Sequence, residues 1–416
     1  MDTTLFFFLM VYITMGLGKL PGFKVDRTGA AIVGALAMMA AGSISAKAAW
    51  MAIDYRTIGM LFGLMVVSGA FAESGFYAWT AQRVATLSVG PVALLGVLVV
   101  VGAFLSSILT NDVVVVAMTP LLISITLARG LNPVPFLLAF CFAANTGSAG
   151  TLIGSPQNMI AAQELGISFT GFLSVAGLPA LLSLVIVWGV IAWMYRGHWT
   201  LPVAPATTMP APSAPPPTQF DVVETCKATF VTIAVVIAFV LDAWPRELVA
   251  LTAASFLLIN RKIASSDVLK QVDGNLLLLI AGLFVVNAAM TSTDLPQHLL
   301  HDMRAWGINL NDPLSLLFAS SILSNIIGNS PTVMLLVPFL DTGSHADILG
   351  AALALGTGFF SNLIVFGSLA GIIAVEQAAS HGVKISFGAF ARVGAPVSIL
   401  CIVMAAVWIM LIQHHV

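Results

Sequence analysis

Long runs of hydrophobic residues, separated by short polar segments, dominate this chain. Many of the runs reach the roughly 18 apolar residues that cross a bilayer as one helix. The pattern predicts ten spanning helices, near residues 4–20, 29–45, 57–74, 137–166, 171–195, 228–243, 246–260, 275–292, 350–378 and 387–411. Two further apolar stretches, 93–127 and 313–342, are not predicted to form single spanning helices.

Residues 93–127 are too long for one spanning helix and are polar at their middle. A helix of 35 residues would be about 50 Å long, against a hydrocarbon core of roughly 30 Å. We therefore expect a re-entrant hairpin of two shorter helices, with Thr110-Asn111-Asp112 at its tip. Residues 313–342 predict a second hairpin with Gly328-Asn329-Ser330-Pro331 at its tip, because glycine and proline favour a tight turn.

Two of the predicted spanning helices contain breaks. The segment "IGSPQN" (153–158) interrupts 137–166, and "FGSLAG" (366–371) interrupts 350–378. Non-helical backbone at membrane depth is tolerated inside protein or beside a water-filled cavity. We expect the freed carbonyls and N–H groups at the breaks and hairpin tips to bind an ion or a polar solute.

The two halves of the chain repeat each other. "LSSILTNDVVVVAMTPLL" (105–122) and "LSNIIGNSPTVMLLVPFL" (323–340) share seven of 18 residues at a shift of 218. Segment 61–71 falls on 280–290 at a shift of 219, and 150–161 falls on 363–374 at a shift of 213. Each repeat holds five spanning helices and one hairpin. Because five is odd, the second repeat enters the membrane from the opposite side, as in many secondary transporters.

The repeats divide the chain into three parts. Residues 1–196 form the first inverted repeat and residues 226–416 the second, joined by a Pro-rich linker over 197–225. Twelve of the 16 Lys and Arg residues fall on one side if each hairpin returns to the side it entered from. By the positive-inside rule this places the linker in the cytoplasm and the N-terminus outside, in a multi-pass protein of the inner cell membrane.

Composition narrows the function. The chain is 59% hydrophobic and only 8% charged, against about 25% charged in soluble proteins. A net charge of −2 gives no reason to expect a nucleic-acid partner. Three separated cysteines and no paired His ligands predict no metal centre. Without a GxxxxGK[ST] loop we expect no ATP site on this chain, although an ATPase partner stays open. We expect a transporter, not an enzyme, with Na⁺ as the one candidate cofactor.

Asp112 is the only ionisable residue between Arg83 and Arg129. A carboxylate at membrane depth costs about 2.5 kcal/mol or more and is by default functional. Its repeat partner is the neutral Ser330, so we predict that Asp112 couples transport to H⁺ or Na⁺. The alternatives are that Asp112 marks a helix end and that Asn111 and Asn329 only join helices.

The tips and breaks together define a predicted binding site, shared between the two repeats. Its members are Ser106, Thr110, Asn111, Asp112, Gly154, Ser155, Gln157, Asn158, Ser324, Asn325, Asn329, Ser330, Pro331, Thr332, Gly367 and Ser368.

Several of these motifs resemble the ion transporter superfamily. This group includes arsenite permeases (ArsB-like), NhaD-type sodium–proton antiporters, and sodium symporters of citrate and divalent anions. "AFAESGFYAWTA", "SNIIGNSPTVMLL" and "FGSLAGI" are most similar to the "ESGFFEW", "NNMPTV" and "IGSLA" segments of the arsenite-permease and anion-permease branch. The resemblance covers almost the whole chain. It implies a homodimer in which scaffold helices hold two mobile transport domains that move in an elevator fashion.

The resemblance also suggests a function. Sodium–dicarboxylate members carry Ser-Asn-Thr at both tips, whereas this chain has Thr-Asn-Asp and Gly-Asn-Ser. An acidic tip repels a dianion and suits a weakly charged solute. We therefore expect a secondary transporter that exports arsenite or antimonite, coupled to H⁺ or Na⁺. The alternatives are an NhaD-type Na⁺/H⁺ antiporter, a Na⁺-coupled symporter of sulfate or a dicarboxylate, and a passive channel or membrane subunit.

Overall fold

The computed structural model describes residues 3–20, 22–200, 220–293, 309–341, 343 and 345–413. Within these ranges the regular elements are helices, and two isolated β-bridges are the only strand-like pairings. The predicted all-α class is confirmed. Residues 201–219 of the predicted linker lie outside the described ranges. Asp221 caps the next helix by accepting hydrogen bonds from the N–H groups of Val223 and Glu224. That helix begins at Val222, so the last residues of the predicted linker are helical.

The described helices follow the order that the hydrophobic pattern predicts. Those of the first half are α1 (Thr3–Leu17), α2 (Arg27–Ala40), α3 (Ala46–Ala52), α4 (Tyr55–Glu73), α5 (Phe76–Ala85), α6 (Pro91–Ile108), α7 (Asn111–Ala128), α8 (Pro133–Ser148), α9 (Pro156–Leu165) and α10 (Phe169–Met194). Those of the second half are α11 (Val222–Leu241), α12 (Arg246–Leu258), α13 (Ser265–Lys270), α14 (Gly274–Thr291), α15 (Pro313–Ile327), α16 (Asn329–Leu336), α17 (Ala346–Phe360), α18 (Leu369–Ser380) and α19 (Phe387–Gln413).

Seven of these helices are long and apolar enough to cross a membrane, namely α4, α6, α7, α10, α11, α14 and α19. Several shorter apolar helices, among them α1 and α2, accompany them. The two helices predicted to contain breaks are interrupted slightly earlier than expected, at 149–155 and at 361–368. Residues 137–166 divide into α8 and α9, and residues 350–378 divide into α17 and α18. Proline at the first position of α9 supplies the backbone angle that starts a helix without needing an N–H partner.

Each stretch predicted as a hairpin consists of two helices joined by a turn that is tighter than expected. That these helices re-enter on the side they came from stays a prediction. The first hairpin is α6 and α7, joined by Leu109 and Thr110, and the second is α15 and α16, joined by Gly328. Gly328 has a φ of +96°, which glycine adopts without strain. Asn111, Asp112 and the Asn329–Pro331 segment therefore lie in the first helical turns and not in the turns themselves. Their N–H groups can still point away from the helix, because the first four have no helical acceptor.

The helices pack as two groups. In what we call the frame, α2 packs on α14, α4 packs on α12, and α11 packs on both α4 and α12. In the core group, the hairpin arms α6 and α15 pack on the broken helices α8 and α17. Helix α10 packs against both α8 and α17, and α19 packs against α10 and α17. Glycines permit the close frame contacts. A Cβ at Gly63 would come within 2.5 Å of Ala250, and one at Gly282 within 2.9 Å of Ala31.

Candidate functional site

A polar cavity of about 260 Å³ lies between the frame and the core group. The core side contributes Asn111, Asp112, Pro156, Gln157, Ile327, Gly328, Asn329, Ser330, Pro331, Phe366, Gly367, Ser368 and Leu369. The frame side contributes Arg27, Thr28, Asp273, Asn275, Leu276 and Leu279.

Six helix N-termini meet at this cavity, two from the frame helices α2 and α14 and four from the core side. The lining includes first-turn residues of α7, α9, α16 and α18, represented by Asp112, Gln157, Ser330 and Leu369. Unpaired N–H groups and the helix dipole give each terminus a partial positive charge. The cavity therefore attracts electron-rich oxygen atoms.

The first hairpin tip packs directly on the first break. The backbone N–H of Asn111 donates to the Gly154 carbonyl at 3.0 Å. A Cβ at Gly154 would lie 2.5 Å from the Ser106 carbonyl and 2.6 Å from Ser148 Cα, so only glycine allows this approach. Asn158 donates from its side chain to the carbonyls of Ser148 and Thr151, at 2.9 and 2.8 Å, and closes the break.

The second hairpin meets the second break in the same manner. A Cβ at Gly367 would lie 2.7 Å from both the Asn325 side-chain oxygen and the Ser361 carbonyl. Asn325 donates to the Phe360 carbonyl at 2.9 Å and so ties α15 to the end of α17. Ser368 caps α18 by accepting from the N–H of Gly371.

An asparagine pair joins the two halves behind the cavity. Asn145 on α8 donates to the Asn362 side-chain oxygen at 2.9 Å and to the Ser368 hydroxyl at 3.0 Å, and accepts from the Asn111 amide at 3.3 Å. Asn362 donates in turn to the Phe142 carbonyl. Asn145 and Asn362 are fully or almost fully buried. This network fixes both breaks relative to the first hairpin tip.

Buried oxygen atoms without a hydrogen-bond partner gather at the tips and breaks. In the described part of the chain nine buried side-chain atoms lack a partner, and seven of them belong to the site, on Ser106, Thr110, Asn111, Ser155, Asn158, Asn325 and Asn329. Burying such an atom costs about 1–3 kcal/mol unless something binds it. Neutral oxygen donors of this kind suit a hard cation such as Na⁺ or the hydroxyl groups of a solute.

The structure divides the sequence-predicted site into two layers. Asn111, Asp112, Gln157, Asn329, Ser330, Pro331, Gly367 and Ser368 line the cavity. The other predicted residues lie behind it. Of these, Ser324 and Thr332 use their hydroxyls within their own hairpin, donating to the carbonyls of Ser321 and Gly328.

Sequence reasoning missed the frame side of the cavity. Arg27 is half-buried, and its Nε donates to the Met15 carbonyl at 2.9 Å. One terminal nitrogen of its guanidinium lies 3.9 Å from the position of a Cβ on Gly328. Asp273 accepts from the Leu276 N–H as the N-cap of α14. Among the described side chains neither Arg27 nor Asp112 has an ion-pair partner. The only available signal was the position of these charges at the starts of predicted helices.

No cysteine lines the cavity, since Cys141 and Cys401 are buried elsewhere and Cys226 is exposed. Within the described ranges no group of three His, Cys, Asp or Glu residues can hold a metal ion. The polar groups that line the cavity are one guanidinium, two carboxylates, and several amides and hydroxyls.

Apolar spanning helices, interrupted helices and a polar cavity between them define a multi-pass membrane transporter. The chain belongs to the citrate transporter family (CitMHS), whose model matches residues 8–358. This membership confirms the predicted superfamily and makes the chain a secondary transporter, while the arsenite-permease branch stays a prediction.

Two similar proteins extend over nearly the whole chain and a third matches less than half of it. A "46 kDa membrane protein" of Mycobacterium leprae is 30% identical over 409 residues, which cover 93% of this chain and 94% of the relative. An uncharacterized transporter of Mycobacterium tuberculosis is 28% identical over 412 residues, covering 95% and 96%. The silicon efflux transporter LSI3 of Oryza sativa is 37% identical over 165 residues, covering 40% of this chain and 34% of the relative.

A solved structure shares the fold. The YdaH transporter of Alcanivorax borkumensis matches with a TM-score of 0.58 at 15% identity, covering 98% of this chain and 96% of the solved one. The likeness supports a transporter fold and carries no information about the solute.

Proposed function

We propose that this protein exports a small, uncharged inorganic hydroxide, arsenite or antimonite, by secondary active transport coupled to H⁺ or Na⁺ through Asp112. The observation that carries the proposal is the balance of the cavity lining. Arg27 and the four core-side helix N-termini offer hydrogen-bond donors, whereas Asp112 and Asp273 offer acceptors. A neutral solute with several hydroxyl groups uses both at once, because each hydroxyl donates and accepts.

Charge in the cavity argues against a polyanion. Two carboxylates face one guanidinium, so the fixed side-chain charge is negative when both carboxylates are ionised. A dicarboxylate or citrate would bring further negative charge next to Asp112 and Asp273. A neutral solute avoids that repulsion. The similarity to a silicon efflux transporter supports the same choice, since silicic acid is also a small hydroxide that is largely neutral near pH 7.

In this proposal the coupling cation binds at buried side-chain oxygens that have no hydrogen-bond partner. Asp112 accepts a proton or attracts Na⁺ at the first hairpin tip, beside the buried oxygens of Ser106, Thr110 and Asn111. Ser155 and Asn158 contribute further oxygens from the adjacent break. A cation bound here satisfies atoms that are otherwise buried without partners, which supplies part of the binding free energy.

The transport cycle follows from the predicted inverted repeats. We propose that residues 1–196 and 226–416 form the two repeats, that the core group moves along the frame in an elevator fashion, and that two copies of the chain associate through their frames. The matched packing of α6 on α8 and α15 on α17 supports the repeat assignment. In this scheme the N-terminus lies outside the inner membrane and the linker 197–225 lies in the cytoplasm.

Flux measurements test the proposal. Purified protein in liposomes should move arsenite when a proton or sodium gradient is imposed, and empty liposomes provide the control. Antimonite and silicic acid should compete with arsenite, whereas citrate and sulfate should not. The proposal fails if neither gradient drives any of the three hydroxides.

Arg27 favours a second candidate, a Na⁺-coupled symporter of a small anion. Its guanidinium and the four core-side helix N-termini together suit a carboxylate or sulfate. In that case sodium-driven uptake of the anion replaces arsenite flux in the same liposomes. An NhaD-type antiporter would instead give a sodium-driven pH change without any solute, and a channel would conduct without coupling.

A further inference from the structure

One polar side chain lies at the same repeat position in each of two frame helices. Ser68 is the only polar residue of α4 between Thr57 and Glu73, and Asn287 is the only one of α14 between Asn275 and Thr291. The shift of 219 that aligns 61–71 with 280–290 places Ser68 on Asn287. Each of them contacts the hairpin of its own half.

The two contacts use different points of the two hairpins. Ser68 Oγ accepts a hydrogen bond at 2.9 Å from the backbone N–H of Thr110, at the tip of the first hairpin. Asn287 Nδ2 donates at 2.9 Å to the backbone carbonyl of Met334, within α16 of the second hairpin. Tyr12 on α1 supports Asn287 by donating from its hydroxyl to Oδ1 at 2.8 Å.

The repeat alignment gives the offset between these two points. At the shift of 218, Thr110 corresponds to Gly328 and Met334 corresponds to Val116. The frame therefore holds the first hairpin at its tip and the second hairpin six residues further along. Six residues of helix correspond to about 9 Å. The two hairpins occupy different heights on otherwise matching frame helices.

A proline explains why the Met334 carbonyl is free to accept a hydrogen bond from Asn287. Pro338 follows Met334 by four residues and has no N–H, so the Met334 carbonyl lacks its helical donor. Pro120 deprives the Val116 carbonyl of its donor in the same way. Each hairpin thus carries two anchoring groups, an N–H at the tip and a free carbonyl six residues later.

We infer that Ser68 and Asn287 are a pair of latches that exchange roles during transport. In the opposite-facing conformation Asn287 Oδ1 accepts from the N–H of Gly328, and Ser68 Oγ donates to the Val116 carbonyl. Both side chains suit both tasks, because an amide and a hydroxyl can donate and accept. The Gly328 N–H, which now bonds to the Ser324 carbonyl at 2.9 Å, is released as the last turn of α15 opens by one residue.

The structure leaves room for this movement. A second cavity of about 200 Å³ lies along α14 beside Asn287 and Thr291, and Met334 and Pro338 line its other side. The second hairpin enters this space as its tip moves from Leu279 towards Asn287. The first hairpin moves the other way along α4, because the repeats are inverted. This inference rests on the inverted repeats and alternating access of the proposed function.

Paired cysteines test the exchange. In a background without Cys141, Cys226 and Cys401, four pairs are introduced one at a time and treated with a short bifunctional maleimide in membranes. The pairs are Ser68→Cys with Thr110→Cys, Asn287→Cys with Met334→Cys, Ser68→Cys with Val116→Cys, and Asn287→Cys with Asn329→Cys. Ser74→Cys with Thr225→Cys is the control, because those hydroxyls lie 3.0 Å apart within the frame.

All four pairs should cross-link. The yields of the first two pairs and of the last two pairs should change in opposite directions under the same conditions. A shift in pH, sodium or arsenite concentration that lowers the first two yields should raise the last two, while the control yield stays constant. The inference is overturned if the last two pairs link no better than single-cysteine variants, or if the two hairpins respond independently.

This readout requires no knowledge of the solute. If the cross-linking yields change in opposite directions as expected but no arsenite flux is measured, the proposed solute alone is refuted. Arsenite flux with no cross-linking of the last two pairs would refute the latches alone.

Discussion

The side-chain nitrogen of Asn145 lies 2.9 Å from the side-chain oxygen of Asn362 and donates a hydrogen bond to it. Asn145 lies on α8 and Asn362 lies two residues beyond the end of α17, and they are 217 positions apart in the chain. Asn145 also holds Ser368 at the second break and Asn111 at the first tip. One amide therefore sets the relative position of both halves of the site.

Replacing Asn145 with alanine should destabilise the protein and reduce transport. The change leaves the buried side-chain oxygen of Asn362 without a donor and removes one hydrogen bond from Ser368. A buried oxygen left unpaired costs about 1–3 kcal/mol. A lower thermal unfolding midpoint in detergent and a slower flux in liposomes would show both effects. Asn309→Ala is the control, because Asn309 is exposed. Unchanged stability of Asn145→Ala would contradict the structural role of the network.

Alanine at Gly154 or Gly367 should separate a hairpin tip from its break. The added methyl group would meet backbone within 2.5–2.7 Å at either site, and such overpacking costs about 1–3 kcal/mol. We expect lower flux from each variant. Gly189→Ala is the matched control, since nothing lies within 4 Å of its Cβ position inside α10. There alanine should be neutral or stabilise by up to about 1 kcal/mol. Equal flux from all three variants would argue against tight tip–break packing.

Asp112→Asn should uncouple transport while the fold is kept. The amide has nearly the same shape as the carboxylate but neither binds a proton nor attracts a cation. Gradient-driven accumulation of solute should fall to the level of empty liposomes, whereas exchange of labelled for unlabelled solute should continue. The exposed Asp341→Asn is the control. Accumulation by Asp112→Asn at the rate of the unchanged protein would remove Asp112 from the coupling mechanism.

Arg27→Gln should weaken solute binding. Loss of a hydrogen bond from a charged group costs about 1.5–3 kcal/mol, which raises the apparent KM roughly ten- to hundredfold. Lys24→Gln removes the same charge from an exposed position in the preceding loop and should leave KM unchanged. Initial rates over a range of arsenite concentrations distinguish the two. An unaltered KM in Arg27→Gln would show that the guanidinium does not contact the solute.

Tyr12→Phe should weaken one latch without touching the cavity. It removes the hydroxyl that donates to Asn287 Oδ1, so the Asn287 amide is held less firmly against Met334. The turnover rate of solute exchange should therefore change, while KM should not. Tyr55→Phe is the control, because Tyr55 is exposed. A changed KM in Tyr12→Phe would place Tyr12 in solute binding.

The hydrophobic pattern alone determined the long helices and the regions where they are interrupted, but not the short helices α3, α5 and α13. Spans follow from the length of apolar runs, and the hairpins and breaks follow from Gly, Pro and polar residues inside those runs, because an unsatisfied backbone is costly in lipid. This is why Asn111, Asp112, Gly367 and Ser368 could be identified as cavity residues from the sequence. The predicted helix breaks near 153–158 and 366–371 were placed for the same reason.

Only the tertiary structure decided which residues line the cavity opposite the hairpin tips. Arg27 and Asp273 enter the cavity because α2 packs on α14 and both helices begin beside the second hairpin, a contact between distant segments that no local pattern encodes. Asn145 and Asn362 are ordinary buried amides in sequence and become a bridge only when α8 meets the end of α17. The sequence specifies local backbone through periodicity and turn residues, whereas hydrogen bonds between the two halves depend on how whole helices pack.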